Sequence, residues 1–250
     1  MDNQEELFDD VDIVFVRTEL KDRYRFMKAA IKRDKHVIGE VPFSIDEDKQ
    51  NELFELAKQH DVVLMHNLKV LHTQVFVQLL WMIKAGLIGD VIRIDCATSK
   101  HNRSIKQLFY ELTASALAIV LNIMGTDYEI IAKRIIRDTE DIEYMSMTIT
   151  YPNTEVIINI GNNIRVESKI EIVGSKGSIR LGENWWRADS FELLPVDEDN
   201  VKRYYMNYDG NGFKFLIKDL LVMIDEHRRE YPLMNRDIDT VMTNILQDIE

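Results

Sequence analysis

Val11-Asp12-Ile13-Val14-Phe15-Val16, His36-Val37-Ile38 and Val62-Val63-Leu64-Met65 are three short apolar runs in the first quarter of the chain. Nearly unbroken runs of this length are what a strand buried on both faces of a parallel sheet requires. Between the first two, Phe26, Met27, Ala30 and Ile31 recur on one face of a helix from about 21 to 33. Gly39 and Pro42 stop the second run. Ser44-Ile45-Asp46-Glu47 has capping-box spacing and opens a helix with Leu53, Phe54, Leu56 and Ala57. Strand, helix, strand, helix, strand at these spacings predicts βαβ units and right-handed crossovers.

Beyond this layer the period changes. A helix over 73–85 ends at Gly86. From Val91 to Ala97 the residues alternate, with Ile92, Ile94 and Cys96 opposite Arg93 and Asp95, as in a sheet with one wetter face. A helix over 105–124 is followed by strands at 130–137, 142–151, 155–160, 166–173 and 178–181. Pro152-Asn153 and Gly174-Ser175-Lys176-Gly177 supply turns between them. The tail reads as two helices, 213–230 and 234–249, separated by Pro232.

Composition narrows the function. Of 250 residues 46% are hydrophobic, enough for a sizeable core. Lys and Arg number 31 against 43 Asp and Glu, a net charge of −12, which argues against nucleic-acid or anionic-membrane partners. The lone cysteine, Cys96, cannot form an internal disulfide and suits a reducing compartment. No apolar run reaches membrane-spanning length, and Met1–Glu6 is acidic where a secretory signal is basic. The expectation is a cytoplasmic protein.

The order of elements and the residues at their joints resemble the glucose–fructose oxidoreductase / inositol dehydrogenase (Gfo/Idh/MocA) family. His36-Val37-Ile38-Gly39-Glu40-Val41-Pro42 stands where that family has His-Val-x-x-Glu-Lys-Pro. Gly86-Leu87-Ile88-Gly89 matches its Gly-x-Ile-Gly joint, and Gly174–Gly177 its Gly-x-x-Gly sheet turn. Lys69, Thr98-Ser99-Lys100 and Trp185-Trp186 suggest a branch associated with surface-sugar pathways. The resemblance implies a partial Rossmann-like layer over residues 1–89. It is followed by a large, mostly antiparallel α+β sheet domain over 90–250, with helices on one face. It also implies NAD(P) chemistry and a subunit interface through the large sheet.

Several positions depart from the family pattern. The first glycine is Gly39, so no Gly-x-Gly-x-x-Gly turn is present to hold a dinucleotide pyrophosphate. The chain enters the pattern about 60 residues late, judged against the ~30-residue βαβ unit. Val41 occupies the family's lysine position. Thr18-Glu19-Leu20-Lys21-Asp22-Arg23 replaces its Thr-Pro-Asn-x-x-His loop. Its Asp-x-x-x-His pair aligns with Glu111 and Ser115, and a serine cannot act as a base near neutral pH without an activating group. No cofactor is therefore expected, and Glu40, Pro42 and Arg23 remain as remnants of a binding loop.

Lys69, His66, Glu111, Trp185 and Trp186 are the candidate cleft residues, with His66 and His72 flanking Lys69. No metal site is expected, because a spacing of six does not place two histidines on one helical face. Trp185-Trp186, Phe191, Tyr204, Tyr205 and Tyr208 could stack on a sugar, or could be packing at the sheet margin. Three functions compete. The first is a family member without dehydrogenase activity by itself, acting through oligomerisation or a partner. The second is a sugar oxidoreductase whose nucleotide-binding half comes from another segment or chain. The third is a sugar or nucleotide-sugar binding module. A homodimer through the large sheet is expected, with Ser146, Thr148 and Thr150 on the meeting face.

Overall fold

The computed structural model describes residues 8–100, 106–138, 141–197, 201–206 and 212–249. In chain order the elements are β1 (Ile13–Val16), α1 (Leu20–Ile31), β2 (His36–Gly39), α2 (Glu47–Gln59), β3 (Leu64–His66), α3 (Gln74–Lys84) and β4 (Val91–Lys100). There follow α4 (Lys106–Met124), β5 (Ile130–Asp138), β6 (Asp141–Tyr151), β7 (Thr154–Asn162), β8 (Lys169–Gly174) and β9 (Gly177–Leu181). Last come β10 (Ser190–Pro195), β11 (Lys202–Tyr205), α5 (Phe213–Asp225) and α6 (Arg236–Gln247). They make two compact units, residues 1–68 with 214–250, and residues 69–213. The boundary expected at 89/90 differs from this division, in which residues 69–89 group with the second unit and the last helices with the first.

In the first unit β1, β2 and β3 lie side by side and parallel, with Val14 opposite Val37 and Val37 opposite Leu64. Val14, Val16, Val37 and Leu64 form one core with Phe26, Met27, Ala30 and Ile31 of α1 and Leu53 and Ala57 of α2. This is the apolar stripe read from the sequence. The cap of α2 differs from expectation. Asp46 accepts the Lys49 N–H at 3.2 Å, while Ser44 Oγ accepts the Asp46 N–H at 3.0 Å. An aspartate two residues nearer the helix satisfies the free donor, and Ser44 shapes the approach. A Cβ on Gly39 would come within 2.9 Å of the Phe43 ring, so this glycine allows close packing at the end of β2.

In the second unit eight strands run in the order β11-β10-β9-β8-β4-β7-β6-β5, and only the β4–β7 pair is parallel. The expected small parallel layer and large mostly antiparallel sheet are both present. Ile94, Cys96, Met145, Met147, Ile149, Ile158, Ile160, Ile170 and Ile172 point to the buried side, where α4 packs on β4, β6 and β7. The register of β4 slips between Val91 and Arg93, which turns Ile92 outward (50% exposed) although simple alternation places it with Ile94. β10 and β11 were not legible as strands; their Phe191 and Tyr204 are cross-strand partners, stacked at 5.0 Å. Tyr208 lies outside the described residues. Among the described residues, no helix is long and apolar enough to cross a membrane.

Candidate functional site

Ligands of open parallel sheets bind beyond the carboxyl ends of the strands. In the first unit those ends carry Thr18, two residues past β1, Glu40, directly past β2, and Asn67, directly past β3. Asn67 Nδ2 donates to Glu40 Oε1 at 2.9 Å, and the exposed Arg17 has Nε 3.8 Å from the same oxygen. The Asn67 N–H donates to the Gly39 carbonyl at 2.7 Å, binding the ends of β2 and β3 together. Thr18 Oγ1 and Asn67 Oδ1 are buried and have no hydrogen-bond partner among the described residues. A buried polar atom left so costs about 1–3 kcal/mol unless a water or a ligand satisfies it.

Of the expected binding remnants, Glu40 takes part in this cluster directly. Arg23 is fully buried on α1 and donates to the carbonyls of Pro42 and, at 3.3 Å, Thr18. It thereby ties the loop after β1 to the loop after β2. Val41 is 1% exposed, an apolar side chain with nothing to give to a reacting oxygen. His66, expected at the mouth of a cleft, is instead buried. Its Nε2 lies 2.6 Å from Asp239 Oδ1 of α6, and Phe43 stacks on its ring at 3.9 Å.

The second unit holds the other candidates. Lys69 is half-buried on a 3-10 turn, Lys69–His72. Glu111 and Ser115 share one face of α4, where Ser115 Oγ donates to the Glu111 carbonyl at 2.8 Å. That hydroxyl serves its own helix. Trp185 is 1% exposed and donates its indole N–H to the Ala97 carbonyl at 3.1 Å, so it is core and not a stacking platform. Trp186 meets it edge-on and is half-exposed, with Lys100 Nζ 6.0 Å above its ring. Burial pushes the Cys96 thiol up, which leaves it unreactive. An open groove of about 550 Å³ crosses the outward side of β8–β11, and neither Lys69, Glu111 nor either tryptophan lines it. Among the described residues no three His, Cys, Asp or Glu side chains could hold a metal together.

Sequence reasoning missed Thr18, Asn67, Gln50 and Asp239. The first two lie within two residues of the strand ends, so the carboxyl-end rule could have found them. The last two are distant in sequence from the edge and carry no local signal.

Residues 1–68 match the model of a family described as the oxidoreductase family with an NAD-binding Rossmann fold. A dTDP-3,4-didehydro-2,6-dideoxy-α-D-glucose 3-reductase from Actinomadura kijaniata is 31% identical over 83 residues, a stretch covering 33% of this chain and 25% of the relative. A 3-ketoreductase from the same organism, solved with NADP and TDP-benzene, superposes with a TM-score of 0.82 at 16% identity, over 97% of this chain and 79% of that one. A putative oxidoreductase from Magnetospirillum magnetotacticum gives 0.79 at 15% identity, over 97% and 81%. These findings overturn the expectation of no cofactor, since the family is NAD-binding and the ketoreductase structure holds NADP. The residues present fit one end of such a group. Thr18 Oγ1, Asn67 Oδ1 and the Glu40 carboxylate suit hydroxyl and carboxamide groups, whereas Gly39 is packed against Phe43 and cradles no phosphate. The family model thus matches the first 68 residues, and the fold of these oxidoreductases is shared across nearly the whole chain.

Proposed function

We propose that this protein is an NAD(P)-dependent oxidoreductase acting on a carbonyl of a sugar, nucleotide-linked as in the ketoreductase from Actinomadura kijaniata. The reading is carried by the Thr18–Glu40–Asn67 cluster, whose two orphaned oxygens lie at the carboxyl edge of a parallel sheet. When bound, the dinucleotide supplies a hydride for the carbonyl carbon. Thr18, Glu40 and Asn67 would hold its nicotinamide ribose end, and the buried Val41 and Pro42 would keep water from the edge. The phosphates are gripped by another segment or chain. The assembly is a homodimer through the outward face of the eight-stranded sheet, which presents Ser146, Thr148 and Thr150.

A second reading has a specific observation in its favour. Val41 offers no charge, and the Ser115 hydroxyl is bound to its own helix, so neither position can give the carbonyl oxygen a proton. On this reading the protein binds dinucleotide and sugar, does not turn them over by itself, and acts through association.

One experiment separates the two: NADPH binding and NADPH oxidation measured with a thymidine-diphosphate 3-keto sugar. Saturable binding with sugar-dependent oxidation supports the first reading. Binding without oxidation supports the second. No binding of NADPH by the full assembly would overturn both.

A further inference from the structure

We infer that Asp239 and Gln50, neither of which lies at the ligand edge, are positioning residues. Through a buried relay with His66 they set the geometry of the Glu40–Ser44 loop and of Asn67. The inference rests on the reading of that edge as a ligand site.

The relay has one donor or acceptor in every slot. Asp239, in the first turn of α6, directs Oδ1 to His66 Nε2 at 2.6 Å and accepts Gln50 Nε2–H on Oδ2 at 2.5 Å. The same Gln50 nitrogen donates to Thr243 Oγ1 at 2.6 Å. The Gln50 oxygen, in turn, accepts the Ser44 N–H at 3.0 Å. That last bond fixes which way the amide faces, so its nitrogen must point at the carboxylate. The side chains of His66 and Asp239 are 3% and 1% exposed.

The relay reaches the edge twice. His66 is the last residue of β3 and leads directly into Asn67, which holds Glu40. The His66 ring also stacks on Phe43, at 12° to parallel. The loop after β2 is therefore gripped at Glu40 by Asn67, at Pro42 by Arg23, at Phe43 by His66 and at Ser44 by Gln50. Two of those four grips run through the relay. Burying a carboxylate, an imidazole and an amide is a poor way to gain stability, because well-packed apolar groups of the same shape do as well. What a fully satisfied polar network adds is a single permitted arrangement. Here that arrangement is imposed on the loop that bears Glu40.

The donor pattern gives a test by exchange of roles. Asp239→Asn, with its oxygen kept on His66, sets a donor against the Gln50 donor. Gln50→Glu sets two carboxylates face to face. The double variant, Gln50→Glu with Asp239→Asn, restores complementarity: the new carboxylate accepts from the new amide and from the Ser44 N–H. Hydrogen exchange of the Glu40, Val41, Phe43 and Ser44 amides and the Asn67 side-chain amide resonances are read in the full chain, beside thermal unfolding and NADPH affinity. Each single variant should speed exchange at 40–44 by about tenfold and weaken NADPH binding by about as much, and the double should return to within about threefold of wild type. Should a single variant fail to fold, Thr243→Val removes only one partner of Gln50 and should speed loop exchange by about threefold. Unchanged loop exchange in the single variants, or a double variant no better than the worse single, would overturn the inference. So would exchange that rises evenly across α1, α2 and β1–β3 in step with lost stability. If wild-type protein binds no NADPH, the proposed function fails while loop exchange still decides the positioning role.

Discussion

The two sheets treat polar side chains in opposite ways. In the eight-stranded sheet the charges sit outside. Asp95, Glu171, Arg180, Glu192 and Arg203 lie in one row across five adjacent strands, and their counterparts on the inner face are apolar. Around the three-stranded sheet Glu40, His66, Gln50 and Asp239 are buried, and near them Thr18 Oγ1 and Asn67 Oδ1 find no partner among the described residues. The outward row is solvated and adds little to stability. The buried set is costly unless it is satisfied, and its unsatisfied members gather at one edge. The contrast separates a sheet that supplies mass and surface from one whose polar groups gather at its carboxyl edge.

The largest effect expected from this contrast falls in the large unit. Trp185→Ala should cost about 3–5 kcal/mol in urea unfolding, as for other buried tryptophans, while Trp186→Ala should cost less than about 1 kcal/mol. Equal costs would mean that the pair acts together and that the buried and half-exposed roles have been divided wrongly. The outward face is tested next. Thr148→Lys should shift the proposed dimer toward monomer in light scattering with stability changed by no more than about 0.5 kcal/mol, because the proposed two-fold contact would set the new charge near its own copy. Arg180 pairs with Glu171 at 2.7 Å on the exposed row, and Arg180→Ala should cost about 0–1 kcal/mol. A loss of several kcal/mol would show that the row is buried in the assembly.

The smallest effect is a pH dependence in the small unit. Burial, and secondarily the Arg229 charge, hold the His36 imidazole below its ordinary value of 6.5, against an opposing pull from Asp12. Its Nδ1 accepts the Val63 N–H at 3.0 Å, a bond that needs the unprotonated nitrogen. The folded state therefore binds this proton less readily than the unfolded state does. The contribution to stability is complete above pH 6.5 and is lost as pH falls through the depressed value. His36→Leu should flatten the dependence of urea midpoint on pH just below 6.5. An unchanged slope would remove His36 from the account.

Local patterns in the sequence carried most of the architecture. Val11–Val16, His36–Ile38 and Val62–Met65 had the continuous apolar character of buried parallel strands, and Phe26, Met27, Ala30 and Ile31 the spacing of a packed helix. Phe191, Tyr204 and Tyr205 read as packing at the sheet margin without a strand period to place them, and the pairing of β10 and β11 is visible only in the register. Ile92 was misplaced because a bulge breaks alternation without leaving a glycine to announce it. The site was legible in part. Glu40 came from its motif, whereas the Asp239–His66 pair joins residues 173 apart in the chain. His66 and Trp185 looked chemically available in the sequence; burial assigns them to the relay and to the core.

Nicotinamide riboside, followed by amide NMR on isotopically labelled protein, tests the ligand edge most directly, because it carries the end of the cofactor that these residues fit and avoids the phosphate grip that they lack. Titration to about 10 mM covers the weak binding expected of a fragment, near −4 kcal/mol. The account predicts saturable shifts at Arg17, Thr18, Glu40 and Asn67, including the Asn67 side-chain amide, and loss of those shifts in Asn67→Leu at unchanged melting temperature. Shifts confined to the β8–β11 groove, or no saturable shift at the carboxyl edge of β1–β3, would contradict it.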